Sequence, residues 1–174
     1  MNPHFQLELS YSLEERGNEM FDKFYFRIFP HLKSVELVKD RNLQRLGIDK
    51  ILMFESNKQI FIDEKKRRKD YGDILLEEYS DFDNKKVGWL GRSKSTDYIV
   101  YALMDTKKIY LLPFQLLQLA WLSNYKEWLI KYGRKFSNNE NYRTSNIPIP
   151  TEILLESIKQ EMSKDQIKKV LTST

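Results

Sequence analysis

Three apolar runs of strand length, separated by turn chemistry, fill residues 46–80 and constrain the fold more than any other part of the sequence. Leu46-Gly47-Ile48-Asp49-Lys50-Ile51-Leu52-Met53-Phe54 leads into the polar break Glu55-Ser56-Asn57-Lys58-Gln59, then Ile60-Phe61-Ile62-Asp63-Glu64-Lys65-Lys66. A basic link containing Gly72 precedes Asp73-Ile74-Leu75-Leu76-Glu77-Glu78-Tyr79-Ser80. The pattern predicts three adjacent strands, the first two forming a hairpin. With the turn centred on Ser56 and Asn57, Asp49 falls opposite the Asp63 to Glu64 region. Side chains alternate between faces, and cross-strand neighbours lie roughly 5 Å apart. Asp63 and Lys65 therefore share a face, and a one-residue adjustment of register brings Asp49 onto it. Two carboxylates beside one ammonium are poor core material but suit a divalent cation. Mg²⁺ takes hard oxygen ligands, typically one or two carboxylates completed by phosphate and water. A neighbouring lysine can orient or deprotonate a water and offset charge on a phosphate.

The 174 residues suit one domain with an appended helical element. A hydrophobic fraction of 41%, with ten Phe, ten Tyr and three Trp, is enough for a folded core. Lys and Arg outnumber Asp and Glu by 29 to 25, a mild bias towards acidic partners that a solvated surface would also show. No cysteine is present, which excludes disulfides and thiolate zinc sites. His4 and His31, the two imidazoles, lie far in sequence from the acidic cluster. No apolar leader and no run long enough to span a bilayer is legible, so a soluble cytoplasmic protein without a membrane partner is expected.

Phe5, Leu7 and Leu9 alternate like a short strand or belong to an irregular arm. Residues 13–29 read as a helix, with Ser12 as N-cap, Glu14 and Glu15 in the first turn, and Met20, Phe21, Phe24 and Ile28 as the buried stripe. Pro30 stops it. Glu15, Glu19 and Asp22 lie on its polar side, either solvated or able to lend a further carboxylate. Residues 35–45 form a charged connector containing Gln44. Lys65-Lys66-Arg67-Arg68-Lys69 places five cations in a row. Beside a carboxylate pair, this run reads as a phosphate-contacting patch rather than a merely solvated strand end. Trp89, framed by Gly88 and Gly91, is expected in a loop beside the groove, stacking on a base or plugging the core. Arg92 and Lys94 add charge there. Residues 96–104 and 109–112 predict a second hairpin, followed by a helix from Phe114 to Tyr132 that ends at Gly133. Residues 135–142 read as a loop, 143–149 as an edge strand limited by Pro148 and Pro150, and 151–162 and 163–171 as two short helices.

The residues Gly47-Ile48-Asp49 followed by Ile62-Asp63-Glu64-Lys65 resemble the signature of the PD-(D/E)XK nuclease superfamily, which includes restriction endonucleases and Holliday-junction resolvases. Asp49 matches the first acid, Asp63 the second and Lys65 the lysine; Ile48 replaces the customary proline. The shifted frame Glu64-Lys65-Lys66 fits the same formula, but Phe61, Asp63 and Lys65 continue the face that Asp49 can reach. The likeness spans roughly residues 13 to 130. It implies an α/β fold with a restriction-endonuclease-like core, a central mixed β-sheet flanked by helices, over residues 1–134, and a C-terminal extension over 135–174.

The same likeness implies an endonuclease that hydrolyses DNA phosphodiesters with Mg²⁺, or Mn²⁺ in its place. Asp49 and Asp63 would hold the metal, joined by the carbonyl of Glu64, and Lys65 would position water. Glu15 or Glu19, and Gln44, are further candidates for the catalytic set. Lys66, Arg67, Arg68, Lys69, Trp89, Arg92 and Lys94 would hold the nucleic acid. Enzymes that cut both strands often pair, so a homodimer is admitted, although no interface is legible. A non-catalytic nucleic-acid-binding or assembly module on the same fold is the rival reading.

Overall fold

The computed structural model describes residues 18–92, 95–139 and 141–172. The expectations for Phe5, Leu7, Leu9, Ser12, Glu14, Glu15 and Lys94 lie outside the described residues. The chain divides into two compact units: one runs to Asp70 and includes Tyr98–Leu111, and the other combines Tyr71–Asp97 with Leu112 onward. The architecture is α/β, with mixed and antiparallel sheets and flanking helices.

In the first unit, helix α1 (residues 18–28) is followed by β1 (Leu32–Leu37), the short helix α2 (Arg41–Arg45), β2 (Lys50–Phe54) and β3 (Gln59–Arg67). After the segment belonging to the other unit come β6 (Tyr98–Leu103) and β7 (Lys108–Pro113). The strand order is β1-β2-β3-β6-β7. Strands β1, β2 and β3 are antiparallel neighbours, whereas β6 runs parallel to β3 with Asp63 opposite Ile99 and Lys65 opposite Tyr101. Phe21, Phe24 and Tyr25 of α1 cover Leu52, Ile60, Ile62, Val100 and Ala102, with Met20 and Ile28 packed at the margin. The aromatic stripe of the helix and one alternating face of the sheet thus form a single core. β1 replaces part of the expected charged connector. Its interleaved Lys33 and Glu36 and its half-exposed face conceal a strand that β2 nevertheless pairs along its length.

In the second unit, β4 (Asp73–Asp81), β5 (Lys86–Val87), β8 (Lys135–Asn138) and β9 (Arg143–Pro150) form a sheet ordered β5-β4-β9-β8. Helices α3 (Phe114–Tyr132) and α4 (Thr151–Thr172) pack on each other and against β9. Ile74, Leu76, Ile147, Ile149, Leu117, Ala120 and Leu154 are fully buried.

Several expectations are corrected here. β4 is not the third strand of the hairpin sheet, because β3 takes β6 as its neighbour; neither Glu77 nor Glu78 therefore belongs to the sheet bearing Asp63. β9 is an inner strand, and its prolines are tolerated because β8 pairs only with Arg143–Asn146, leaving Pro148 and Pro150 beyond that ladder. Residues 135–138 form a strand rather than a loop. Ser163 does not start a new helix: its hydroxyl donates to the Lys159 carbonyl at 3.1 Å within the continuous α4. Gly88 lies so close to β4 that an added Cβ would sit 2.2 Å from the Glu77 carbonyl oxygen, which explains a glycine there.

Candidate metal-binding and nucleic-acid site

The site begins with a turn. Asp40 caps α2 by accepting the N–H groups of Asn42 (2.6 Å) and Leu43 (3.3 Å). The chain then reverses at Gly47, whose φ of 78° is open to glycine and strained for other residues. Ile48 N–H donates to the Leu43 carbonyl (3.1 Å), and the Asp49 carbonyl accepts the Val38 N–H (2.9 Å). Gln44 donates its side-chain amide to the Val38 carbonyl at 2.9 Å. It braces this turn, and its amide is spent there rather than on the carboxylates.

The β2–β3 hairpin turns at Asn57, which holds a φ of 61°, and its last pair is Lys50 with Ile62. One residue further, Asp49 donates its N–H to the Ile62 carbonyl at 2.8 Å, and its Oδ2 accepts the Glu64 N–H at 2.8 Å. This register brings Asp49 onto the face of Asp63, close enough for the charge of Asp63 to act on the Asp49 carboxyl. Asp63 is 1% exposed and is ion-paired with the Lys65 ammonium, whose side chain is about a third exposed. Burial, reinforced by the negative charge of Asp63, pushes the Asp49 carboxyl above the usual carboxylate range; the Glu64 N–H and Lys65 oppose this only in part.

Behind this face, on the α1 side, lies a second cluster that the sequence reading missed. Lys50, with a side chain only 4% exposed, ion-pairs with Asp22 Oδ1 at 2.6 Å and Glu64 Oε1 at 3.3 Å. The Tyr25 hydroxyl donates to Glu64 Oε1 at 2.7 Å. Burial raises both the Glu64 carboxyl and the Tyr25 phenol above their ordinary values, with Lys50 opposing the shift at Glu64. The one available sequence signal was a polar pair on alternate faces, Asp49 and Lys50, at the mouth of a strand.

The remaining candidates separate. The Glu64 side chain faces α1 and not the Asp49–Asp63 pair, so any part it takes in metal binding is confined to its carbonyl. Glu19 is paired with Lys23 on the exposed side of α1 at 2.5 Å, whereas Asp22 of the same helix reaches a strand and meets Lys50. Lys66 is exposed, 3.3 Å from Asn18 Oδ1 and over the Phe21 ring, on the face opposite Lys65. Arg67, by strand alternation, shares the face of Asp63 and Lys65, and Arg68 and Lys69 are exposed just beyond β3. Trp89 and Arg92 belong to the second unit. Trp89 is 8% exposed and its backbone N–H donates to Glu77 Oε1, so of its two readings, stacking on a base or plugging the core, the structure gives the second. Arg92 donates to the Val87 carbonyl (2.8 Å) and to Ser80 Oγ (2.5 Å).

Among the described residues, no group of three or more His, Cys, Asp or Glu is placed to hold a metal ion. The donor set is the pair of hard carboxylates, which fits a cation that fills its other positions with water and phosphate. No helix among the described residues is long and apolar enough to cross a membrane. The chain matches no protein-family model, and neither a curated protein nor a solved structure matches it.

The raised Asp49 carboxyl has a consequence for stability. A carboxyl raised on folding makes the folded state the stronger proton binder, so stability falls as pH rises from the ordinary aspartate range through the raised one. Asp49→Asn keeps an acceptor for the Glu64 N–H and removes the repelling charge. It is expected to stabilise the metal-free protein at neutral pH by roughly 0.5–2 kcal/mol, read as a higher urea midpoint; an unchanged or lower midpoint would contradict the electrostatic account.

Proposed function

We propose that the protein hydrolyses DNA phosphodiester bonds with a divalent cation, Mg²⁺ or in its place Mn²⁺, held by Asp49 and Asp63. The observation that carries this reading is the meeting of two carboxyls and one ammonium on one face of β2 and β3. Charge balance supports it. On this face the negative charge of Asp63 raises the Asp49 carboxyl and Lys65 opposes that only in part, and a divalent cation would offset the rest. The mixed sheet, with β6 parallel to β3 and α1 across one face, supports the likeness to the PD-(D/E)XK core.

When bound, the cation would offset the charge that develops on the phosphorus and the leaving oxygen. Asp49 and Asp63 would hold it, with the Glu64 carbonyl as a further oxygen. Lys65, next to Asp63 and open to solvent on one side, would orient the attacking water. Arg67 on the same face, with Lys66, Arg68 and Lys69, would grip the phosphate backbone without reading sequence. A cytoplasmic setting, and pairing of two copies to cut both strands, belong to the same proposal.

One observation favours a second reading, a nucleic-acid-binding or assembly module without turnover. The described residues contain no third metal-ligating side chain, and Lys65 already pairs with the Asp63 charge. A panel of linear, nicked, branched and single-stranded DNA, plus RNA, incubated with and without Mg²⁺ or Mn²⁺, separates the two. Cation-dependent cleavage of DNA supports the enzyme. Intact DNA, bound in a salt-sensitive way that Asp63→Ala leaves untouched, would establish the binding module. Under either reading, Arg68→Ala is expected to weaken binding uniformly across sequences and flatten the salt dependence by about one unit of log–log slope.

A further inference from the structure

We propose that the buried cluster of Lys50, Glu64, Tyr25 and Asp22 is a positioning device that aims Asp49 and Asp63 at a shared divalent cation; this rests on the metal-binding reading above. The two clusters stand back to back on neighbouring residues of the same strands. Alternation along β3 sends Asp63 and Lys65 to one face and Glu64 and Lys66 to the other, and β2 enters with Asp49 and Lys50 divided in the same way. The link between the faces is a backbone group: the N–H of Glu64 donates to Asp49 Oδ2 at 2.8 Å. Beside the last hairpin pair, Lys50 with Ile62, the ends of β2 and β3 are tied on the other face by the Lys50–Glu64 ion pair at 3.3 Å, with Tyr25 Oη donating to Glu64 at 2.7 Å. Lys50 is held in turn by Asp22 at 2.6 Å and lies over the Phe21 and Tyr25 rings, at 5.9 and 5.6 Å from their centroids. Helix α1 is thereby tied to the strand ends that carry the metal pair.

Stability alone does not account for a lysine in that position. Exchanging a buried ion-pair cluster for apolar side chains of similar size is commonly neutral or stabilising, so its distinctive contribution is directional. A hydrophobic patch would dock α1 equally well but would lack the directional Lys50–Glu64 tie between the strand ends that carry Asp49 and Asp63. Partners that orient metal ligands typically account for about 10- to 100-fold in metal affinity.

The test is Mn²⁺ affinity, measured by the loss of free-ion paramagnetic resonance signal in the full chain, alongside urea denaturation of each variant. Tyr25→Phe keeps the ring and removes only the donor to Glu64; Lys50→Met removes both ion pairs, and Lys50→Arg restores a cation. Tyr25→Phe and Lys50→Met are expected to bind Mn²⁺ about 10- to 100-fold more weakly, with Lys50→Arg recovering part of the loss. Affinity is compared only among variants that remain folded, and Tyr25→Phe answers the question if Lys50→Met does not fold. Wild-type binding with unchanged affinity in the folded variants would overturn the positioning role and leave the metal site standing. Failure of the wild type to bind Mn²⁺ would overturn the metal site, and this inference with it.

Discussion

Replacing Asp63 by asparagine is expected to lower cation-dependent DNA cleavage by about a thousandfold or more while leaving the protein folded and able to bind DNA. The carboxylate is almost wholly buried, and its closest cation is Lys65. Asparagine nearly reproduces its volume and keeps polar contact with that neighbour, while Lys65 is exposed enough to solvate its own charge. The fold therefore loses little, whereas the pair loses one of two anionic ligands. On the proposed reading the cations of residues 65–69 hold the DNA, so its affinity should fall far less than turnover. Cleavage by Asp63→Asn at near wild-type rate in a purified preparation, free of contaminating nuclease, would remove Asp63 as a metal ligand and with it the two-carboxylate site. The same substitution should change how the remaining acid titrates. The negative charge of Asp63 is one of the groups raising Asp49, so removing it should bring the Asp49 carboxyl back towards its ordinary range. In the wild type, protons and metal compete for the raised carboxyl, so Mn²⁺ binding should tighten with rising pH and release protons.

The carboxylate pair was legible in the sequence because it depends on local rules. Strand alternation and a tight turn at Asn57 determine which side chains share a face, and both act over a few residues. The register resolved in favour of Asp49 because the last hairpin pair joins Lys50 to Ile62. The α1 stripe of Phe21 and Phe24 was equally local. What escaped was non-local or chemically disguised. Parallel pairing of β3 with β6 spans a long crossover whose content gives no pairing signal, so β4 looked like the natural neighbour. Lys50 carried no signal of its own because nothing near it in sequence supplies Asp22 or Tyr25; its burial exists only once α1 lies on the sheet. Pro148 and Pro150 suggested an edge, a rule that holds locally in β9, where the β8 ladder stops short of them, but not for the strand as a whole. Trp89 between two glycines left a presented ring and a core plug open, and close packing decides for the core, since the Gly88 Cα lies against the β4 backbone.

Glu78 is the position where substitution should most damage the fold. Its side chain is 4% exposed and accepts from three separate elements: Arg134 through two bonds at 2.6 and 2.7 Å, Ser145 Oγ at 2.9 Å, and the Tyr125 hydroxyl. Burial alone would raise this carboxyl, but the bonds from Arg134, Tyr125 and Ser145 outweigh it and hold it below the usual range. The same contact pushes the Tyr125 phenol up to about 12, through burial first and the Glu78 bond second. Glu78→Ala leaves a guanidinium and two hydroxyls around a void, and is expected to destabilise the full chain by about 3 kcal/mol. That is the lower end for breaking a buried pair, because Arg134 keeps some access to water. Adding Arg134→Met should restore part of the loss by removing the stranded charge. Acid provides a second readout. A carboxyl lowered on folding contributes stability that is present above the ordinary glutamate range and lost as pH falls through the lowered one. Wild type should therefore lose more stability than Glu78→Gln over that acidic interval, and the two urea midpoints should converge. Parallel pH profiles for wild type and Glu78→Gln would show that hydrogen-bond geometry, rather than the Glu78 charge, holds the β4, β9 and α3 contacts together.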